Sequence, residues 1–277
     1  MALYMNGQEI SQSSGVPISG VPISGATEPY IEEIYNSDGQ LISANMHGYD
    51  AIRSYMFSDC SNLALTSLPS GITSIGKNAF QNCTNLALNS LPSGITSIGS
   101  NAFYGCTNLA LTSLPSGITS IGTNAFQNCT KLALTSLPSG LTSIGSYTFY
   151  NCSNLALTSL PSGITSFGIG AFLNCSKLAL TSLPSGITSI GISTFENCPK
   201  LALTSLPSGL TSIGNNAFGK CTGLTSITFT GTPTSIKNNA FSNCTNLTTI
   251  NVPWAEGAVA NAPWGATNAT IHYGYAG

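Results

Sequence analysis

Apolar positions recur along this chain with a fixed period of 23 residues. Nine phenylalanines run from Phe57 to Phe241 at this step, and a cysteine follows each of them three residues later, from Cys60 to Cys244. Leucine and isoleucine positions, separated by Ser, Thr, Asn and Gly, keep the same step. A fixed period of this length is typical of a solenoid, in which each repeat forms one coil that stacks on the next.

A central repeat, residues 109–131, shows which elements the pattern predicts. The segment Leu-Ala-Leu-Thr-Ser-Leu is rich in Thr and Leu and stops at Pro115, so it predicts a β-strand. A Ser-Gly turn and an inward pair of isoleucines follow. Ala125, Phe126 and Cys129 then keep the i, i+1, i+4 spacing of a short helical turn with one buried side. Each coil therefore offers Leu, Ile, Phe and Cys to a common interior.

The ends of the chain depart from the repeat. Residues 30–44 read as a β-hairpin around the turn Asp38-Gly39, and most of the acidic residues lie near it, which suits a polar cover over the first coil. The sequence predicts a flexible lead or tether over 1–29, an acidic N-terminal cap with a first partial coil over 30–59, the repeat solenoid over 60–246, and a C-terminal cap with both tryptophans over 247–277.

The recurring segment Ile-Gly-x-x-Ala-Phe-x-x-Cys, together with Leu247-Thr-Thr-Ile-Asn-Val-Pro253, resembles the 23-residue leucine-rich repeats of the treponemal or BspA type. The resemblance covers about residues 50–253 and implies an α/β repeat solenoid. The expected fold is a leucine-rich-repeat horseshoe with a parallel concave β-sheet and short helical turns, capped at both ends. The central repeats have Thr66, Thr112 or Thr135 where isoleucine is usual, which leaves the inside–outside register of their strand open.

Members of this family are commonly bacterial surface proteins, adhesins and proteins encoded by bacteriophages of gut bacteria. The lead, the hairpin and the tryptophan-bearing tail of this chain look most like the phage-encoded group. The N-terminus has neither a basic region nor an apolar core, so it does not read as a secretory signal peptide. The resemblance therefore implies an extracellular or virion-associated protein.

Charge is scarce and unevenly distributed. Only 6% of the residues are charged, against about 25% in typical globular proteins. Residues 1–59 hold seven acids and one arginine, a net charge of −6, whereas residues 60–221 hold five lysines and one glutamate, a net charge of +4. Four positive charges spread along a stack of coils are too dilute for a nucleic-acid footprint. No apolar run approaches the roughly 18 residues of a membrane span.

The regular cysteines do not indicate disulfide or metal chemistry. Nine is an odd number, so complete internal pairing is excluded, and parallel side chains on stacked coils are poorly placed to pair. Metal sites usually have two ligands close together in sequence, whereas these cysteines lie 23 residues apart. We expect buried thiols that act as small hydrophobic residues, with no metal and no cofactor.

Catalytic groups are few. His47 and His272 lie in different caps, and Glu196 is the sole acid within residues 60–221, so paired carboxylates cannot lie in the stack. We therefore expect no enzymatic activity. The acids that the caps could contribute are Glu32, Glu33 and Glu256.

The strand segment provides the candidate binding surface. It is nearly unchanged from coil to coil and would present rows of identical side chains, which suits a repetitive polymer such as a glycan. Recent duplication of the repeat explains the same uniformity, and an ice-binding surface would need a flat array with two threonine columns. The candidate ligand-binding residues on the concave strand face are Ser67, Ser113, Ser136, Ser159, Ser182, Ser205, Leu65, Leu111 and Leu134.

Two functions from different classes fit these observations. The first is a non-catalytic recognition or adhesion module that binds a cell-surface glycan or protein through the solenoid. The alternative is a structural fibre or decoration protein that self-associates through its uniform rows of Ser, Thr and Leu, since a surface with so little charge has little to repel a second copy. Neither function needs nucleic acid or membrane insertion.

Overall fold

The structure, a computed structural model, describes residues 3–5, 8–10 and 29–275. Coils are numbered here from 1 to 9 by the phenylalanines from Phe57 to Phe241. The strands are β1 (Leu3–Met5), β2 (Gln8–Ile10), β3 (Tyr30–Tyr35), β4 (Leu41–His47), β5 (Ala51–Ile52), β6 (Ser74–Ile75), β7 (Ser97–Ile98), β8 (Ser120–Ile121), β9 (Ser143–Ile144), β10 (Ser166–Phe167), β11 (Ser189–Ile190), β12 (Ser205–Leu206), β13 (Ser212–Ile213), β14 (Ser226–Phe229), β15 (Ser235–Ile236), β16 (Thr249–Asn251) and β17 (Thr270–His272).

Strands at equivalent positions of neighbouring repeats pair in parallel. Ser74 pairs with Ser97, and Ser97 pairs with Ser120, each one repeat further along the chain. The last coils add a second parallel row, formed by β12, β14, β16 and β17. The chain thus winds into a β-solenoid of about ten turns, which confirms the architecture that the period predicts.

The strand predicted in the central repeats lies elsewhere. Residues 109–114 form no strand, whereas the following Ser120–Ile121 form β8. Thr112 and Ser113 are adjacent and both exposed. Because successive side chains of a strand point to opposite faces, two consecutive outward residues interrupt the strand. The extra leucine of the central repeats therefore shifts the inward positions and removes the regular alternation.

The later coils restore this alternation. In β14, Ile227 and Phe229 are buried, while Ser226 and Thr228, which alternate with them, are half-buried. This period of two is what a regular strand requires. The second parallel row accordingly begins at the boundary between the two patterns, with β12 in the last repeat of the central type and β14 and β16 in the repeats that return to the usual family pattern.

The predicted short helical turns are wrong, since no helix forms within the described residues. The N–H of Cys129 does bond to the carbonyl of Phe126, three residues back, but the N–H of Phe126 bonds to the carbonyl of Thr148 in the next coil. Asn124 and Asn128 have φ of 57° and 63°, a left-handed conformation that asparagine tolerates. Every second N–H group of this segment therefore bonds to the next coil. In an α-helix, each N–H group would instead bond to the carbonyl four residues back in the same segment.

Aromatic rings form a continuous column through the core. Neighbouring rings from Phe57 to Phe241 stack with centroids 5.1–5.6 Å apart. Trp264 lies one period after Phe241, is fully buried, and accepts a hydrogen bond from the Phe241 N–H through its backbone carbonyl. The tryptophan therefore ends the column and closes the C-terminal side of the core.

The N-terminal side is closed by the predicted hairpin. Strands β3 and β4 pair antiparallel, with Tyr30 opposite His47. The N–H of Ala64 bonds to the carbonyl of Ile42 at 2.9 Å, so β4 lies beside the first coil. Most of the lead predicted over residues 1–29 is outside the described residues, and the antiparallel hairpin of β1 and β2 within it was not predicted.

Candidate functional site

Pairs of hydroxyl side chains form a regular exposed surface of the solenoid. Each pair follows a buried leucine and precedes another leucine. In coil 3, for example, Thr112 and Ser113 are exposed between buried Leu111 and half-buried Leu114. We call this surface the Thr-Ser face. Its members are Thr66, Ser67, Asn89, Ser90, Thr112, Ser113, Thr135, Ser136, Thr158, Ser159, Thr181, Ser182, Thr204 and Ser205, all of them exposed except for half-buried Ser205.

The structure separates the predicted serines from the predicted leucines. The serines Ser67, Ser113, Ser136, Ser159, Ser182 and Ser205 all lie on the Thr-Ser face. Leu65, Leu111 and Leu134 are 6%, 0% and 0% exposed and belong to the core, so their assignment to a ligand-binding surface is corrected. They follow another buried leucine by two residues and point the same way. This burial removes the leucines, but not the rows of Ser and Thr, from the surface predicted for self-association.

Sequence reasoning missed the threonines of this face. Thr112 and its equivalents precede each predicted serine and are equally exposed. A strict strand would have turned one member of each pair inward. The signal was the position of the leucines: two apolar residues separated by two polar ones leave both polar side chains outside.

The hydroxyls of the Thr-Ser face are free, unlike many of those in two other Thr/Ser columns. In the first of these columns, the Thr165 hydroxyl donates to the carbonyl of Thr142 at 3.3 Å. In the second, the Ser176 hydroxyl donates to the carbonyl of Ser153 at 3.0 Å. Across residues 29–275, no side chain of the Thr-Ser face makes such a bond. The hydroxyls of the Thr-Ser face are therefore available to an external ligand, whereas several hydroxyls of the other two columns bond neighbouring coils to one another.

Lysines occur along one edge of the Thr-Ser face. Lys131, Lys177 and Lys200 are exposed and occupy the position directly before the first leucine of their coils. The Lys131 ammonium donates to the Asn108 side-chain oxygen at 2.7 Å. Glu196 lies in the turn segment of coil 7 instead, 3.2 Å from the Lys220 ammonium. The Thr-Ser face itself is uncharged.

The N-terminal cap borders the first coil of the face. An open groove of about 450 Å³ lies between β4 and the first coil, and its lining includes Ser43, Asn45, His47, Thr66 and Ser67. The His47 ring stacks on Tyr30 with centroids 4.5 Å apart. The cap thus extends the hydroxyl surface with amide, imidazole and further hydroxyl groups.

The cysteines are structural. All nine are free thiols, and eight of them are buried, which confirms the expectation of small buried side chains. Burial raises the pKa of the Cys129 thiol well above its ordinary value and raises the pKa of Cys244 to about 11. Neutral, buried thiols are poor nucleophiles and poor metal ligands. Within the described part of the chain, no three His, Cys, Asp or Glu side chains come together as a metal site.

The repeats are matched by a family model. The model for the BspA-type leucine-rich repeat region matches residues 50–179 and 143–256, in six copies. The chain belongs to the BspA-type leucine-rich-repeat family. The match confirms the resemblance carried by the Ile-Gly-x-x-Ala-Phe-x-x-Cys segments, and leucine-rich-repeat proteins of this kind are generally non-catalytic.

Three solved structures illustrate the similarity of this BspA-type chain to bacterial proteins. A leucine-rich cell surface protein from Faecalibacterium prausnitzii is 22% identical, with 85% of this chain and 97% of that chain covered and a TM-score of 0.44. The Treponema pallidum leucine-rich-repeat protein is 26% identical, with 78% and 87% covered and a TM-score of 0.47. The pneumococcal vaccine antigen PcpA is 16% identical, with 87% and 82% covered and a TM-score of 0.33.

Among curated proteins, no relative matches this BspA-type chain. Its described residues contain no helix that is long and apolar enough to span a membrane.

Proposed function

We propose that this chain is a non-catalytic recognition module that binds a cell-surface glycan through its Thr-Ser face. Membership of the BspA-type family supports a binding or adhesion role that depends on the repeats. We place the protein outside the cell or on a virion, with residues 1–29 as the tether. A protein ligand is the other class of surface molecule that an adhesion module of this kind would bind.

One observation carries the glycan assignment. The hydroxyls of Thr112, Ser113 and their equivalents are exposed and make no hydrogen bond within residues 29–275, whereas several hydroxyls of two neighbouring columns bond to the preceding coil, as those of Thr165 and Ser176 do. Adjacent pairs repeat at the coil spacing, which is about 4.8 Å where parallel strands stack. A ligand that matches such a row presents hydroxyl groups at regular intervals along its own length, as a polysaccharide does.

The chemistry of the face suits many weak, equivalent contacts. Each hydroxyl can donate one hydrogen bond and accept others, and a sugar hydroxyl has the same capacity. A single neutral hydrogen bond contributes only about 1 kcal/mol net. Affinity would therefore come from the number of coils that one polymer spans, and short oligosaccharides would bind much more weakly than long ones.

The test is binding to intact intestinal bacteria by the full chain and by a triple variant, Ser113→Lys, Ser136→Lys and Ser159→Lys. The bulky charged side chains cover the centre of the face while the core is unchanged, so saturable binding should be lost. The matched control places three lysines outside the face, at Ser100→Lys, Thr123→Lys and Asn215→Lys. In the unmodified chain, Lys77 occupies the position of coil 2 that is equivalent to these three residues. Equal binding by both triple variants would refute the assignment of the face.

A further inference from the structure

The surface of coils 5 to 8 departs from the regular repeat on the segment Gly-x-x-Ala-Phe-x-x-Cys. We call the outward side chains of this segment the turn face. The second residue after the glycine is an asparagine in most coils, with φ of 55° at Asn101 and 57° at Asn124. Coil 5 has Tyr147 at this position, with φ of 53°. A left-handed conformation costs a bulky residue about 1–2 kcal/mol, and tyrosine occupies this position only in coils 1 and 5, at Tyr55 and Tyr147.

Tyr147 forms a knob on the turn face. Its side chain is 37% exposed, and its ring makes an edge-to-face contact with Tyr150, with centroids 6.0 Å apart. The ring lies over Gly170 of coil 6, where a Cβ would come within 2.7 Å of two ring carbons. Glycine in coil 6 thus makes room for the tyrosine of coil 5.

Apolar side chains continue the knob into the next two coils. Ile169 and Ile192 are 44% and 48% exposed, and Leu173 beside them is half-buried. Polar residues occupy the isoleucine column in other coils, among them Ser100 and Thr123. Contiguous exposed apolar side chains on a protein surface commonly mark an interaction site.

A hollow follows in coil 8. Gly219 stands where other coils have a longer side chain, and the open volume beside it is about 230 Å³, lined also by Glu196, Asn216, Lys220, Ser242 and Asn243. The Glu196 carboxylate accepts hydrogen bonds from Lys220 at 3.2 Å and from the Ser193 hydroxyl at 2.8 Å. Covering this hollow would therefore leave no uncompensated charge.

We propose that the turn face of coils 5 to 8 binds a second copy of this chain in an antiparallel dimer. A two-fold axis between coils 6 and 7 brings coil 5 opposite coil 8 of the second copy, and coil 6 opposite coil 7. Tyr147 then fills the hollow beside Gly219 of the second copy, and Ile192 meets Leu173 of the second copy. The knob, the apolar centre and the hollow are each used twice, as an isologous interface requires.

The size of this surface sets the expected strength. Four coils span roughly 20 Å at the parallel-strand spacing. A patch of this length and of similar width covers roughly 400 Å², less than the roughly 800 Å² per partner of a standard stable interface, so the dimer should be weak and concentration-dependent. The low charge of the chain leaves little electrostatic repulsion between the copies.

Sedimentation velocity of the full chain from micromolar to millimolar concentration tests the proposal. The unmodified chain should form a dimer, and Tyr147→Asn and Gly219→Gln should each remain monomeric. Both substitutions restore residue types found in other coils, so both chains should fold, and Tyr147→Asn should also raise the thermal stability of the monomer. Tyr104→Gln, which lies on the turn face of coil 3, is the control and should dimerise normally.

Mixing the two monomeric variants gives the sharpest test. In a mixed pair, the intact Tyr147 of the Gly219→Gln chain faces the intact hollow of the Tyr147→Asn chain, so one of the two contacts is restored. The mixture should therefore dimerise more strongly than either variant alone. A chain that stays monomeric at millimolar concentration, open-ended assemblies, dimers that neither variant weakens, or a mixture no stronger than its components would each overturn the proposal.

Discussion

The thiol of Cys129 donates a hydrogen bond to the backbone carbonyl of Phe103 in the preceding coil, across 3.0 Å. The same contact joins each later cysteine to the phenylalanine 26 residues before it, as between Cys152 and Phe126. The cysteine column is therefore a buried ladder of donors as well as a set of small apolar side chains. This role explains why a polarisable side chain with an S–H group recurs in a position that is closed to solvent.

Replacing a central cysteine should weaken the stack. We expect Cys129→Ala to lower the free energy of unfolding by about 1–3 kcal/mol, because it removes the thiol hydrogen bond and leaves a small cavity. Urea denaturation under reducing conditions measures the loss. Cys60→Ala is the control, since Cys60 is half-buried and its nearest acceptor, the Ser58 carbonyl, lies at 3.8 Å. Equal losses in the two variants would contradict the role of the ladder.

Stability should fall in alkaline solution. Burial raises the pKa of Cys244 from 9.0 to about 11, and burial raises the pKa of Cys129 well above 9.0. The unfolded chain therefore loses thiol protons first, so the stabilising contribution is complete below about pH 9 and declines above it, by up to about 1.4 kcal/mol per thiol and pH unit. Urea midpoints in reducing buffers from neutral to alkaline pH check this. A midpoint that is constant through this range would show that the thiols ionise equally in both states.

Gly122, which follows the inward Ile121, should be far more sensitive to substitution than Gly117 of the Ser-Gly turn. A Cβ on Gly122 would lie 2.4 Å from the backbone nitrogen of Ser100, whereas a Cβ on Gly117 would meet only the carbonyl oxygen of Ile95 at 3.7 Å. Gly122→Ala must push two coils apart and should cost about 1–3 kcal/mol. Gly117→Ala should be nearly neutral. Thermal unfolding of the two variants, followed by circular dichroism, tests the difference, and similar melting temperatures would contradict it.

The left-handed asparagines should prefer glycine to alanine as a replacement. Asn101 has φ of 55° and makes no side-chain hydrogen bond within residues 29–275. Asn101→Ala should destabilise the chain by about 1 kcal/mol, while Asn101→Gly should change its stability little. Comparing the two unfolding free energies isolates backbone strain from loss of the side chain. A more stable alanine variant would mean that the segment can relax toward a helical turn.

The solenoid could be predicted because its signal is long and repeated. Nine equivalents of Phe126 and Cys129 specify a stack whatever the local conformation, since each coil can bury these side chains only against its neighbours. The N-terminal hairpin was similarly readable from Asp38-Gly39 between two apolar segments. These features depend on the spacing of apolar residues and on turn-forming residues, and both can be read from the sequence.

The conformation inside each coil was harder to predict because long-range bonds decide it. Ala125, Phe126 and Cys129 have helical spacing, yet the N–H of Phe126 bonds to the next coil rather than four residues back. Likewise, Leu111 looked like a surface residue because a strand was expected there, whereas two outward residues, Thr112 and Ser113, interrupt it. In both places the stacking of coils overrides the local preference of the chain.

Recognition of a glycan by the Thr-Ser face is the main functional proposal for this chain. Binding of the labelled full chain to intact intestinal bacteria, before and after periodate oxidation of their surface sugars, tests it most directly. We expect saturable binding that periodate abolishes and that the triple Ser113→Lys, Ser136→Lys and Ser159→Lys variant lacks. Binding that survives periodate but is lost after protease treatment of the cells would contradict the claim and identify a surface protein as the ligand.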